Sequence, residues 1–188
     1  RAGDPGAGLG PDQYWAGSSL GQVYALVGRE PEPEDRLAAA ADHCLPAAYQ
    51  GQCPGVDPDA LLAWRVATRA AFQGRPVAAL EAAVAAARQA LRAAPRVDLG
   101  GVAVADLRDR PVPELPEAAM REGLPFLARV RDRDGREKTV LQAAPPEAVR
   151  AFQALAPQFG RGEAYGDPAR GFAGVYATAA KPGQPRLW

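Results

Sequence analysis

The chain has 188 residues, enough to bury a core in one ordinary domain or two small ones, and 47% of them are hydrophobic, which excludes a disordered chain. Twenty-two basic and 22 acidic residues leave a formal net charge of zero, so no global basic field draws the protein to nucleic acid or to an anionic membrane surface. No apolar run approaches the roughly 20 residues that span a bilayer, so no membrane partner is expected.

The start, Arg1-Ala2-Gly3-Asp4-Pro5-Gly6, reads neither as a signal peptide nor as an initiator-methionine start, and the expectation is a cytoplasmic protein whose chain once continued upstream. Residues 1 to 17, rich in glycine and proline, read as a loop. Ser18 and Ser19 offer an N-cap for a helix from Leu20 to Val27, which Gly28 stops. A second helix fits Glu34 to Tyr49, with Pro46 kinking it or ending it early. The strongest start signal follows: Asp57 as cap, Pro58 at the first helical position and Asp59 at the positive end of the dipole, with Gly74 closing the helix. A fourth helix, Pro76 to Arg92, carries Leu80, Val84, Ala87 and Leu91 at helical spacing.

The pattern changes after Pro95. Val97–Leu99 and Val102–Leu107 alternate as a strand or as a hairpin folded at Gly100-Gly101. Pro116 to Glu122 reads as a short helix closed by Gly123. Phe126–Val130 and Lys138–Gln142 flank Asp132-Arg133-Asp134-Gly135, a hairpin signal because glycine supplies the positive φ of the turn. Pro146 to Phe159 reads as one helix, a glycine-rich loop spans Gly166 to Gly171, and a last strand runs from Phe172 to Ala177. The fold class is α/β, with a helical half followed by a small β-α-β-β-α-β mixed sheet.

No nucleophile elbow, P-loop or dinucleotide fingerprint is present. Cys44 and Cys53 are too few for a disulfide framework and read as reduced thiols. The alternative is a bridge, or a metal site shared with His43, without the fourth ligand that zinc sites usually bring. Asp42-His43 is the distinctive polar pair, set in an alanine-rich helix. An aspartate there either faces solvent or meets a cation or a donor, and the histidine is either a satisfied side chain or a ligand.

Taken together, Ser18–Leu26, Asp42 within the next helix, the long connecting helices and the small domain ending in Gly166-Asp167-Pro168-Ala169-Arg170-Gly171-Phe172-Ala173-Gly174 resemble the DHH phosphoesterase superfamily with its DHH-associated C-terminal domain. The resemblance implies that residues 1–95 are the C-terminal helical part of a DHH-like domain, the flank of a truncated α/β domain, and that residues 96–188 are a small substrate domain. It implies Mn²⁺ or Mg²⁺ as cofactor with Asp42 and His43 as ligands. Arg170, Gly171 and Gly166 would hold a small phosphorylated substrate or a short oligonucleotide, and a homodimer is left open. The Asp-His-His triplet is absent, the glycine-rich loop lacks its histidine, and Gln142 stands where the family carries a substrate arginine. The expectation is therefore a fragment of a metal-dependent phosphoesterase, inactive by itself because a two-metal site is incomplete. The alternative is a non-catalytic ligand-binding or interaction module on the same scaffold.

Overall fold

Proline, aspartate and glycine punctuate the first half of the chain as the sequence suggests. The computed structural model describes Gly6 and residues 8–177. The glycine-rich start through Pro5 and the tail from residue 178 lie outside the described residues. The protein is mixed α/β, helical first and then built on a sheet, with no strand before Arg96 among the described residues. No helix among them is long and apolar enough to cross a membrane.

Helix α1 (Tyr14–Gly17) follows a 3₁₀ turn at Pro11–Gln13, so part of the expected N-terminal loop is helical. Pro11 pre-sets the turn, and Tyr14, 2% exposed, anchors it. In α2 (Ser19–Val27) the Ser18 hydroxyl accepts from the Gly21 amide, and Gly28 ends the helix with φ 64°. Helix α3 (Pro33–Tyr49) opens on a capping box between Glu32 and Asp35, and the Tyr24 hydroxyl donates to the same Asp35 carboxylate at 2.7 Å. Its kink falls at Cys44 (φ −151°, ψ 44°), two residues before Pro46, whose ring cannot donate to the Asp42 carbonyl and crowds it.

Helix α4 (Pro58–Gln73) is capped by the Asp57 carboxylate, which accepts from the Asp59 and Ala60 amides at 2.9 and 2.7 Å. Asp57→Ala is expected to destabilise the helical unit by about 1 kcal/mol, read as a lower urea midpoint with unchanged slope. A midpoint equal to wild type would show that the cap contributes nothing. Helix α5 runs from Val77 to Ala93.

The chain divides into two compact units, Arg1–Ala82 with Met120–Gly123, and Ala83–Ala119 with Leu124–Trp188. The first has its core around Tyr14, Ala40, Ala48, Tyr49, Val56 and Leu61. Arg121 in this unit donates to the Tyr49 carbonyl and to the Asp59 carboxylate.

In the second unit β1 (Arg96–Leu99) and β2 (Val102–Leu107) form the hairpin at Gly100-Gly101, both at positive φ as the tightest turns require. Helix α6 (Leu115–Glu122) precedes β3 (Phe126–Arg131) and β4 (Glu137–Gln142), and Gly135 at φ 75° closes their turn. The expected single helix from Pro146 to Phe159 is broken into α7 (Pro146–Ala154) and α8 (Ala156–Phe159) at Leu155, because Pro157 lacks the N–H that would continue the ladder. The expected glycine-rich loop contains a strand, β5 (Tyr165–Asp167), and a 3₁₀ turn at Pro168–Arg170 before β6 (Phe172–Tyr176). The sheet has six strands in the order β1-β2-β3-β4-β6-β5, with β2 and β3 parallel and the other pairs antiparallel.

Side chains alternate across this sheet. One face packs Leu99, Val104, Leu127, Leu141 and Val175 against Val149 and Phe152 of α7. The other packs Ala105, Leu107, Phe126, Ala128 and Val140 against Leu91 of α5 and Leu115 and Ala118 of α6.

Candidate functional site

Beyond Val140 the second face changes character. The register pairs Val140 with Gly174, Gly174 with Tyr165, and Lys138 with Tyr176, so Lys138, Gly174, Tyr176 and Tyr165 continue the same face. Tyr165, Phe172 and Tyr176 are each half-buried. Three cations lie on their rings. The Arg136 guanidinium is 3.9 Å from the Tyr176 centroid, the Lys138 ammonium is 5.8 Å from Tyr165 and 5.9 Å from Tyr176, and the Arg170 guanidinium is 5.5 Å from Phe172. A guanidinium flat on a ring keeps its edge donors turned outward, where a phosphate can take them.

Glycine makes the arrangement fit. A Cβ on Gly174 would collide with the Tyr165 ring, which lies across that position. Acid residues tune the rim. Burial, and then the neighbouring Asp132 carboxylate, push Tyr176 above its ordinary value against the pull of Lys138. Burial would raise Asp132, but the Arg136 and Asp134 amides and the Tyr176 hydroxyl together hold it below the usual carboxylate range.

Arg170 and Gly171 belong to the turn that joins β5 to β6, Gly166 is the middle residue of β5, and Arg170 is exposed. The glycines serve close backbone packing. Gly171 sits at φ 70° against the Ala144 carbonyl, and a Cβ on Gly166 would strike the Phe172 carbonyl. The Asp167 carboxylate accepts from the Ala169 amide at 2.9 Å.

Asp42 and His43 lie in the first unit. Asp42 is exposed, and His43, half-buried, places Nε2 3.1 Å from the Leu9 carbonyl with its ring against Gly17. Consecutive helical residues leave the axis about 100° apart. Among the described residues no group of three or more His, Cys, Asp or Glu comes together in a metal-holding arrangement. As placed, this pair does not by itself fit the two-cation site that the resemblance implies. Burial, and then the Cys53 sulfur, push the Cys44 thiol up to about 12.

The opposite face carries a carboxylate with a clear role. Asp106 accepts from Arg108 Nε and Nη2 at 2.8 and 2.6 Å, and this holds its carboxyl below the ordinary 3.8. A carboxyl depressed by folding contributes stability that is present above its unfolded value and lost as pH falls through the folded one. Wild type and Asp106→Asn are therefore expected to differ in urea midpoint at pH 5 and to converge below pH 3.8. Parallel curves would remove the pair from the acid response.

The sequence reading missed Tyr165, Tyr176, Arg136 and Lys138. Their signal was a period-two stripe, Lys138 on one strand with Arg136 just before it, and Phe172/Gly174/Tyr176 on another. No family model, no curated protein and no solved structure matches this chain.

Proposed function

We propose that the chain holds a nucleotide or the end of a short oligonucleotide on the aromatic face of its second unit, as the substrate-holding part of a phosphoesterase. The observation that carries this reading is the joining of Tyr165 and Tyr176 with Arg136 and Lys138 on one half-exposed sheet face. A base has a π-face to lay on a tyrosine, and its phosphates meet the guanidinium and ammonium groups beside it. Arg170, beside Phe172, extends the cationic edge along the strand direction.

Hydrolysis rests on the resemblance to DHH phosphoesterases, and the contribution of these residues is binding and orientation. Turnover of a phosphodiester with Mn²⁺ by this chain is not expected, since Asp42 and His43 supply two ligands where two cations need several. Measured turnover would contradict that division of labour. The exposure of Asp42 and the engagement of His43 with Leu9 favour a second reading, a non-catalytic binding module using the same face.

The test is fluorescence anisotropy of a labelled single-stranded oligonucleotide over a salt series. Contact with about three phosphates predicts a slope of log K against log salt near −2, from roughly −0.7 per phosphate of a single strand. No binding at low salt, or affinity indifferent to salt, would sink the proposal.

A further inference from the structure

Cys44 and Cys53 take no part in the aromatic face, yet the first unit brings them together. Cys44 is half-buried at the kink of α3, Cys53 is 2% exposed in the turn that follows, and their sulfurs stand 3.0 Å apart with both thiols free. Two local features set this approach. Pro46 releases the backbone at Cys44 from helical geometry. Gly51, at φ 72°, then folds the chain back so that the Gln52 amide donates to the Ala47 carbonyl at 3.0 Å, returning residue 53 beside the last turn of the helix.

The spacing is that of a thiol pair rather than of two ligands on one soft cation. Two sulfurs on a tetrahedral zinc stand about 3.8 Å apart, given Zn–S bonds of about 2.3 Å. Among the described residues no third His, Cys, Asp or Glu completes such a group.

We propose that Cys44 and Cys53 form a reversible disulfide by exchange with a low-molecular-weight disulfide of the glutathione type. Cys44, the more accessible sulfur, gives its proton to solvent and attacks one sulfur of the external disulfide through its small ionised fraction. The exchange is therefore slow at neutral pH and quickens as pH rises toward the raised value of its thiol. That S–S bond breaks, a mixed disulfide forms on Cys44, and the first external thiolate leaves with the electron pair. Cys53 then loses its proton and attacks the Cys44 sulfur, expelling the second external thiolate. The protein pair loses two electrons, the external disulfide gains them, and the two leaving thiolates take up the two protons released. The sulfurs need close by only about 1 Å to reach the roughly 2.05 Å bond length. The closed ring ties the kink of α3 to the turn that leads into α4, so the oxidised chain resists unfolding more than the reduced one.

The test uses the full chain incubated with oxidised glutathione, quenched in acid, and read by intact mass and iodoacetamide labelling. Wild type is expected to lose the mass of two hydrogens, to refuse the label, to yield a linked Cys44–Cys53 peptide, and to melt about 5 °C higher than the reduced protein. Cys53→Ser is expected to stop at a stable glutathione adduct on Cys44. Cys44→Ser, leaving only the buried sulfur, is expected to form its adduct about tenfold more slowly. Accumulation of the mixed disulfide in wild type would overturn the inference. So would a disulfide-linked dimer, or full iodoacetamide labelling after oxidation. Protection of both thiols by added Zn²⁺, with no loss of mass under glutathione, would assign the pair to a metal instead.

Discussion

Phe152→Ala is expected to be the most damaging single change in the second unit, costing about 3–5 kcal/mol. Phe152 is fully buried, stacks on Phe159 with centroids 4.8 Å apart and planes 10° from parallel, and sits among Leu99, Leu127, Leu141 and Val175. Truncation removes apolar burial and leaves a cavity that the flanking strands cannot close, because they are fixed by their ladders. Against a total stability of about 5–15 kcal/mol, this unfolds much of the sheet under mild denaturant. Urea unfolding followed by tyrosine fluorescence reads it directly. Phe72→Ala is the control: Phe72 is 92% exposed, and its loss should stay within about 0.5 kcal/mol. A Phe152 variant as stable as that control would show that α7 does not carry the face it covers.

Paired replacement of Tyr165 and Tyr176 by alanine is expected to weaken oligonucleotide binding about 30-fold or more, since one stacked base contributes about 1–3 kcal/mol. Both rings are half-buried, so the fold should survive a loss that Phe152→Ala would not permit. Gly174→Ala gives an independent route to the same result, because the added methyl displaces the Tyr165 ring without deleting it. Arg136→Ala should lower affinity less and flatten the salt dependence by about one phosphate contact. If the double tyrosine variant binds as wild type does, the rings are packing groups and not a platform.

Much of the architecture was legible where the signals were local. Asp57, Pro58 and Gly74 bracket α4 because a cap, a pre-set φ and a positive-φ terminator act within one turn of the backbone. Gly100-Gly101 announced the β1–β2 hairpin for the same reason, with φ values of 64° and 84°. The break at Leu155 could have been read from Pro157, had the missing N–H been weighed against the continuing apolar pattern. Strand β5 could not, since its three residues are strand only through pairing with β6.

The candidate site was harder still. Arg136 and Tyr176 are far apart in sequence and meet only because β4 pairs with β6, and Tyr165 joins them only through the β5–β6 register. The glycine-rich segment drew attention to Arg170 and its glycines. The structure gives Gly166 and Gly171 the task of letting backbones approach, and puts the aromatic rings on the strands either side.

The most direct measurement of the central claim is an NMR titration of the ¹⁵N- and aromatic-¹³C-labelled chain with a short oligonucleotide. The account predicts that the largest shifts fall on the Tyr165 and Tyr176 rings and on the amides of Arg136, Lys138 and Gly174, saturating together with one affinity. Saturable shifts centred on the α7 face or in the first unit, with both tyrosine rings unmoved, would contradict it.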